Sequence, residues 1–227
     1  MLLEFTLENY RAFAEPSSLS LVASHLKERG DSRAVDVGDA AHTKALTAAM
    51  ILGKNGSGKS TLVQAMEFVA TFVRRSSRES QHREPILYRP NKLFSNHNAL
   101  DTKFGVIFSM NGIIFDFSFS HNAERITQES LYIADRSARF RKMYERNFSH
   151  NNGYIYSFGD ALSGNKSTWQ ESTRDNALFI STAAQLNADP LKAAFEWLTG
   201  FLKIAEVSTS AIHDATAKMC LENSYRK

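Results

Sequence analysis

Gly53-Lys54-Asn55-Gly56-Ser57-Gly58-Lys59-Ser60-Thr61 is the stretch on which the reading of this chain turns. It meets the pattern G-x-x-x-x-G-K-[ST] at every fixed position. Each residue type has a physical reason. Glycines admit backbone angles that side chains resist, and they leave room for phosphate oxygens. Successive N–H groups then face one concavity, and the N-terminus of the following helix adds positive partial charge. In this pattern Lys59 reaches the terminal phosphates, and the Ser60 hydroxyl ligates Mg²⁺. The flanks agree. Ala45 to Leu52 is a compact apolar run, read as a strand entering the loop. Beyond it Leu62, Ala65, Met66, Val69, Ala70 and Val73 recur at helical spacing. That helix is expected to end near Arg74-Arg75, where basic side chains suit a C-terminus. Strand, loop and helix together point to ATP with Mg²⁺, held by Gly53 through Thr61.

Further out, Leu3, Phe5 and Leu7 alternate with polar residues, the period of a half-buried strand, and Leu19-Ser20-Leu21-Val22 supplies a partner for a hairpin-like pair. Residues 25–44 read as an exposed loop and 75–101 as a long connection. Phe104 to Met110 and Ile113 to Phe119 flank Asn111-Gly112, a pair that favours the type I′ hairpin turn. Further runs at Ile126–Ile133, Phe140–Arg146 and Tyr154–Phe158 extend this into an antiparallel meander over 104–158. The sixteen phenylalanines fall mostly on alternating strand positions, as a core requires. Asp189-Pro190 reads as cap and first position of a helix carrying Leu191, Ala194, Phe195, Leu198 and Leu202.

The 227 residues, 43% apolar and 22% charged, exclude a disordered chain. No window approaches the ~18 apolar residues that span a bilayer. The start, Met1-Leu2-Leu3-Glu4-Phe5, lacks the basic region of a signal peptide. The single cysteine, Cys220, permits no internal disulfide and suits a reducing, cytoplasmic setting. A net charge of +3 allows nucleic acid as a partner without arguing for it.

The inner loop residues, Asn55 to Thr61, resemble the N-G-S-G-K-S-T loop of ABC-type ATPases, including the SMC and RecF relatives. Phe5-Thr6-Leu7-Glu8-Asn9-Tyr10-Arg11-Ala12-Phe13 resembles their opening strand, h-x-h-x-N-[FY]-R-x-F. Glu84 to Pro90, the Asn-Gly hairpin and Asn176 to Asn187 look like AAA-family ATPases of abortive-infection and phage-defence operons, RloA-like and OLD-related. The resemblance covers residues 1–205. It implies an α/β fold: an ABC-type P-loop core, the β meander and a C-terminal helical segment. Residues 1–186 would be the N-terminal part of the ATPase domain, and 187–227 a helical segment leading to a missing remainder. It further implies nucleotide contact by Arg11, sensing of Mg²⁺ and γ-phosphate by Gln185, an ATP-bound homodimer, and an effector nuclease or toxin as partner.

Two parts of an ABC-type site are not found. No apolar run ends in Asp-Glu: Ala177 to Ile180, the strand-like run before Gln185, ends in Ser181. Leu162-Ser163-Gly164-Asn165 departs from the L-S-G-G signature and reads as a turn. Two basic stretches, Arg74/Arg75/Arg78/Arg83 and Arg136/Arg139/Arg141/Lys142/Arg146, are candidates for phosphodiester contact, weighed against a solvated face. The scattered histidines lack metal-ligand spacing. The reading is an ATPase subunit acting as a nucleotide-gated switch in antiphage defence. An SMC/RecF-like DNA-repair ATPase and a P-loop small-molecule kinase stay open beside it.

Overall fold

The computed structural model describes residues 1–23, 34–37, 44–93, 99–134 and 139–203. Most of the 25–44 loop, Arg136, Cys220 and the helical segment beyond 203 lie outside them. The chain folds in the order β1 (Leu2–Glu8), β2 (Ser17–Ser20), β3 (Ala34–Asp36), β4 (Lys44–Leu46) and α1 (Lys59–Arg75). The meander follows as β5 (Thr102–Met110), β6 (Ile113–His121), β7 (Ile126–Ala134), β8 (Arg141–Ser149) and β9 (Gly153–Phe158). Then come α2 (Lys166–Ser172), α3 (Phe179–Gln185), α4 (Asp189–Glu196) and a π-helical turn, Trp197–Phe201. Seven strands form one antiparallel sheet in the order β2-β1-β5-β6-β7-β8-β9.

Asn111 (φ 53°) and Gly112 (φ 77°) both take the positive φ that a type I′ turn needs, and this turn sets the β5–β6 register. Alternation does the rest. Phe104, Val106 and Phe108 on β5 and Phe115, Phe117 and Phe119 on β6 are buried on one face with Phe5 and Leu7. Helix α1 covers that face through Leu62, Ala65, Val69 and Val73. Trp197 stacks on Phe108 at 4.0 Å, and Leu191, Ala194 and Leu198 join the same core. The helical segment expected from residue 187 therefore shares its core with the preceding chain. Its first helix starts at Asp189, with Ala188 as the cap. On the opposite face Leu3, Ile114 and Ala134 meet Val37 and Ala45 of the β3–β4 region.

Three runs differ from their sequence reading. Within the loop expected over 25–44, Ala34–Asp36 forms β3, paired with β4, and Val37 is buried. The strand expected over 45–52 stops at Leu46, and every residue from Thr47 to Ser57 is exposed. Met50 is 83% and Leu52 81% exposed. A strand exists only where another pairs with it, and the described residues supply no partner here. The run 177–180 is not a strand: it leads into α3 and is buried all round. A short apolar run buried on every side carries no period to separate the two forms.

His121, at the end of β6, is 1% exposed. Its ring sits among Phe68 (5.4 Å), Phe104, Phe119 and Tyr88 (each 6.1 Å). Nδ1–H donates to the Asn122 carbonyl at 3.0 Å, and Nε2 has no partner among the described residues. Burial lowers its pKa to about 4, against weaker opposing effects of that carbonyl and Asp101. The unfolded chain takes up this proton near pH 6.5 and the folded chain does not. Stability is therefore lost as the pH falls from about 6.5 towards 4, by ~3 kcal/mol in all. Urea titrations at pH 7 and 4.5 should show this loss, and His121→Phe should remove most of it. An equal pH dependence in the variant would refute the assignment.

Candidate functional site

Gly58 caps α1 with φ 95°, and Gly56 is at φ 80°. A Cβ on Gly58 would lie 3.2 Å from the Phe13 ring and 3.6 Å from Ala12 Cβ, so the loop closes onto the Tyr10–Phe13 turn. The start of α1 has no side-chain cap and no acidic residue in its first turn. The first-turn N–H groups, which have no acceptor within a helix, are thus left for a ligand, and the dipole there favours an anion. Lys59 Nζ bends back to donate to the carbonyls of Gly53 and Lys54, each at 2.7 Å. The Ser57 N–H donates to Lys54 O at 3.2 Å. Lys59 thus ties its ammonium to the loop's first two carbonyls. Ser60 is exposed at the second helical position, beside Thr61. Open amides, positive-φ glycines and an ammonium suit a polyphosphate. A lone hydroxyl suits Mg²⁺, which usually keeps several waters and takes the remaining oxygens from phosphate. Among the described residues no group of three His, Cys, Asp or Glu could hold a metal unaided.

Arg11 is brought to this region. It is held at φ 49°, with its N–H donating to Arg89 O at 2.9 Å and Nη1 donating to Gln64 Oε1 on α1. Gln185 is not brought to Ser60. It is exposed on the last turn of α3. That helix meets α1 through Ser181 Oγ donating to Val73 O, at the end away from the loop. Val73 lies fourteen residues beyond Lys59, roughly 21 Å along α1. Leu162 to Asn165 forms a turn and a cap: Gly164 is at φ 109°, and Asn165 Oδ1 accepts from the Thr168 N–H of α2.

The second basic stretch is not one surface. Arg146, counted there as a candidate for phosphodiester contact, is fully buried. Its Nη1 donates to Ala177 O (2.7 Å) and Nη2 to Arg174 O (3.0 Å), and its guanidinium lies 4.0 Å over Tyr154. Lys142 is tied to Glu145 and Ser157. In the first stretch Arg75 pairs with Glu79, and Arg74 donates to Thr199 O. Opposite Arg146 lies Glu129, which the sequence reading passed over. Its carboxylate accepts from the N–H groups of Phe179 (2.6 Å) and Ile180 (3.0 Å) and from Tyr144 Oη (2.9 Å). Burial pushes its pKa up, opposed by Arg146 and these donors. The available signal was phase: Glu129 falls on the Leu131 side of β7, where an apolar residue belongs.

A large antiparallel sheet with helices on one face and a glycine-rich loop opening α1 is an α/β protein of the P-loop NTPase kind. The protein-family model described as "AAA domain, putative AbiEii toxin, Type IV TA system" matches residues 48–200, and the chain belongs to this family of AAA ATPase domains. No curated protein matches it.

Proposed function

We propose that residues 53–61 bind Mg·ATP, and that in the working protein ATP occupancy gates an effector. The observation that carries the first part is the uncapped start of α1 behind Gly58, with Lys59 turned into the loop. The loop amides and Lys59 would hold the phosphates, Ser60 would ligate the metal, and Arg11 would lie beside the nucleotide. Bound Mg²⁺ would neutralise phosphate charge and fix its geometry. Transfer of the phosphoryl group rests on positioning and electrostatic stabilisation. The water-positioning acid would come from sequence downstream of these 227 residues, and Gln185 would act only after a rearrangement bringing α3 to the loop. ATP-dependent homodimerisation and control of a nuclease or toxin in antiphage defence are supported by the family's toxin–antitoxin description and the RloA-like resemblance. Calorimetry should show saturable ATP binding that Mg²⁺ tightens. Turnover by this chain alone should stay below the ~1 s⁻¹ floor of ordinary enzymes. No binding at millimolar ATP would end the proposal. Ordinary turnover would mean that the acid lies within these residues.

A further inference from the structure

We infer that a second cavity, beside the loop, seats the nucleoside end of the nucleotide; this rests on the loop 53–61 holding the phosphates. The cavity, about 420 Å³, is lined by Arg11, Tyr88, Arg89, Pro90, Lys92 and Leu93. Three cations and a phenol ring stand against two apolar side chains, and no carboxylate is among these lining residues. A flat, electron-rich base with a ribose and a phosphate attached matches that set. Guanidinium planes and the tyrosine face take the base, while cations and donors take the sugar and its phosphate.

The walls are built rather than incidental. Asn91, 1% exposed, ties them together. Its N–H donates to Asn9 Oδ1 (3.0 Å), its Nδ2 donates to Arg11 O (2.7 Å), and its Oδ1 accepts from the Leu93 N–H (2.9 Å). The Arg11 N–H closes the ring on Arg89 O. Arg11 and Asn9 both sit at positive φ, strain that a fixed network must hold in place.

Position supplies the second argument. Gly58, the last glycine of the loop, packs on Phe13 and Ala12, and Ala12 is the neighbour of Arg11. The Arg11 guanidinium reaches α1 through Gln64. A molecule with its phosphates on the loop has this cavity as a neighbouring surface. The side chains of Arg89, Lys92 and Leu93 are exposed, and Leu93 is 84% exposed, so they can be changed without opening the core.

The test compares ATP with inorganic tripolyphosphate, which has the phosphates and lacks the nucleoside. By calorimetry in Mg²⁺, the double variant Arg89→Ala/Lys92→Ala should bind ATP about tenfold more weakly and tripolyphosphate less than about threefold more weakly. Lys59→Ala should weaken both ligands. Equal losses for both ligands in the double variant, or none for either, overturn the cavity assignment. They leave the loop reading intact as long as Lys59→Ala still weakens binding. If Lys59→Ala changes neither ligand, it is the loop reading that fails. A single-stranded oligonucleotide that competes for the cavity, with ATP affinity unaltered in the double variant, would assign it to nucleic acid and overturn the inference.

Discussion

Replacing Glu129 by leucine is expected to destabilise the fold by ~3–5 kcal/mol, the usual cost of leaving one member of a buried ion pair alone. For a domain of this size that corresponds to a fall in Tm of about 6–20 °C. The carboxylate and the guanidinium of Arg146 are both fully buried, 3.7 Å apart. Leucine has the right volume and no acceptor. It would strand the Phe179 and Ile180 amides, the Tyr144 hydroxyl and the Arg146 charge together. Arg146→Met should cost a similar amount for the converse reason. The Glu129→Leu/Arg146→Met double variant should be less destabilised than the two single losses added, because no lone buried charge remains. Thermal scans of the four proteins decide this. A Tm for Glu129→Leu within two degrees of wild type would mean that the pair holds nothing together. The pair also has a mechanical meaning: it is the joint between the β7–β8 part of the meander and the start of α3.

Lys59→Ala should weaken Mg·ATP binding by roughly ten- to a hundredfold, the loss of a charge-assisted contact worth ~1.5–3 kcal/mol. Alanine is the best helix former, so α1 should keep its length and the Tm should hold. The effect has two sources. One is the missing contact with phosphate. The other is the loop itself, because the same ammonium bonds the Gly53 and Lys54 carbonyls when no nucleotide is there. Without it the glycine-rich backbone has more conformations to give up on binding. Equal ATP affinity in wild type and variant would remove the phosphate site from this loop.

What was legible in the sequence is what depends on neighbours in sequence. The α1 stripe ending at Arg75 and the Asn111-Gly112 hairpin are both local, and each forms as read; the motif of residues 53–61 was legible for the same reason. The misreadings are non-local. Ala45 to Leu52 has strand composition, yet pairing needs a second strand, and composition cannot show whether one is present. Arg146 sits in a basic run and reads as surface. It is buried because its acceptors lie at residues 174 and 177. The walls of the second cavity also come together through contacts about eighty residues apart, Asn9 with Asn91 and Arg11 with Asn91. Periodicity carries no trace of such contacts.

The bare stretch from Thr47 to Ser57 also bears on the protein's lifetime in the cell. Its exposed apolar run, Ala48 to Leu52, is the kind of segment that holdase chaperones bind and proteases cleave, and it needs no unfolding to be reached. Its degradation would then follow how often this stretch is covered, rather than the stability of the phenylalanine core. Any ligand that orders the loop lowers the population open to attack in proportion to its occupancy. Abundance would then rise and fall with nucleotide supply, and a change at Met50 or Leu52 could alter protein levels while leaving the melting temperature untouched.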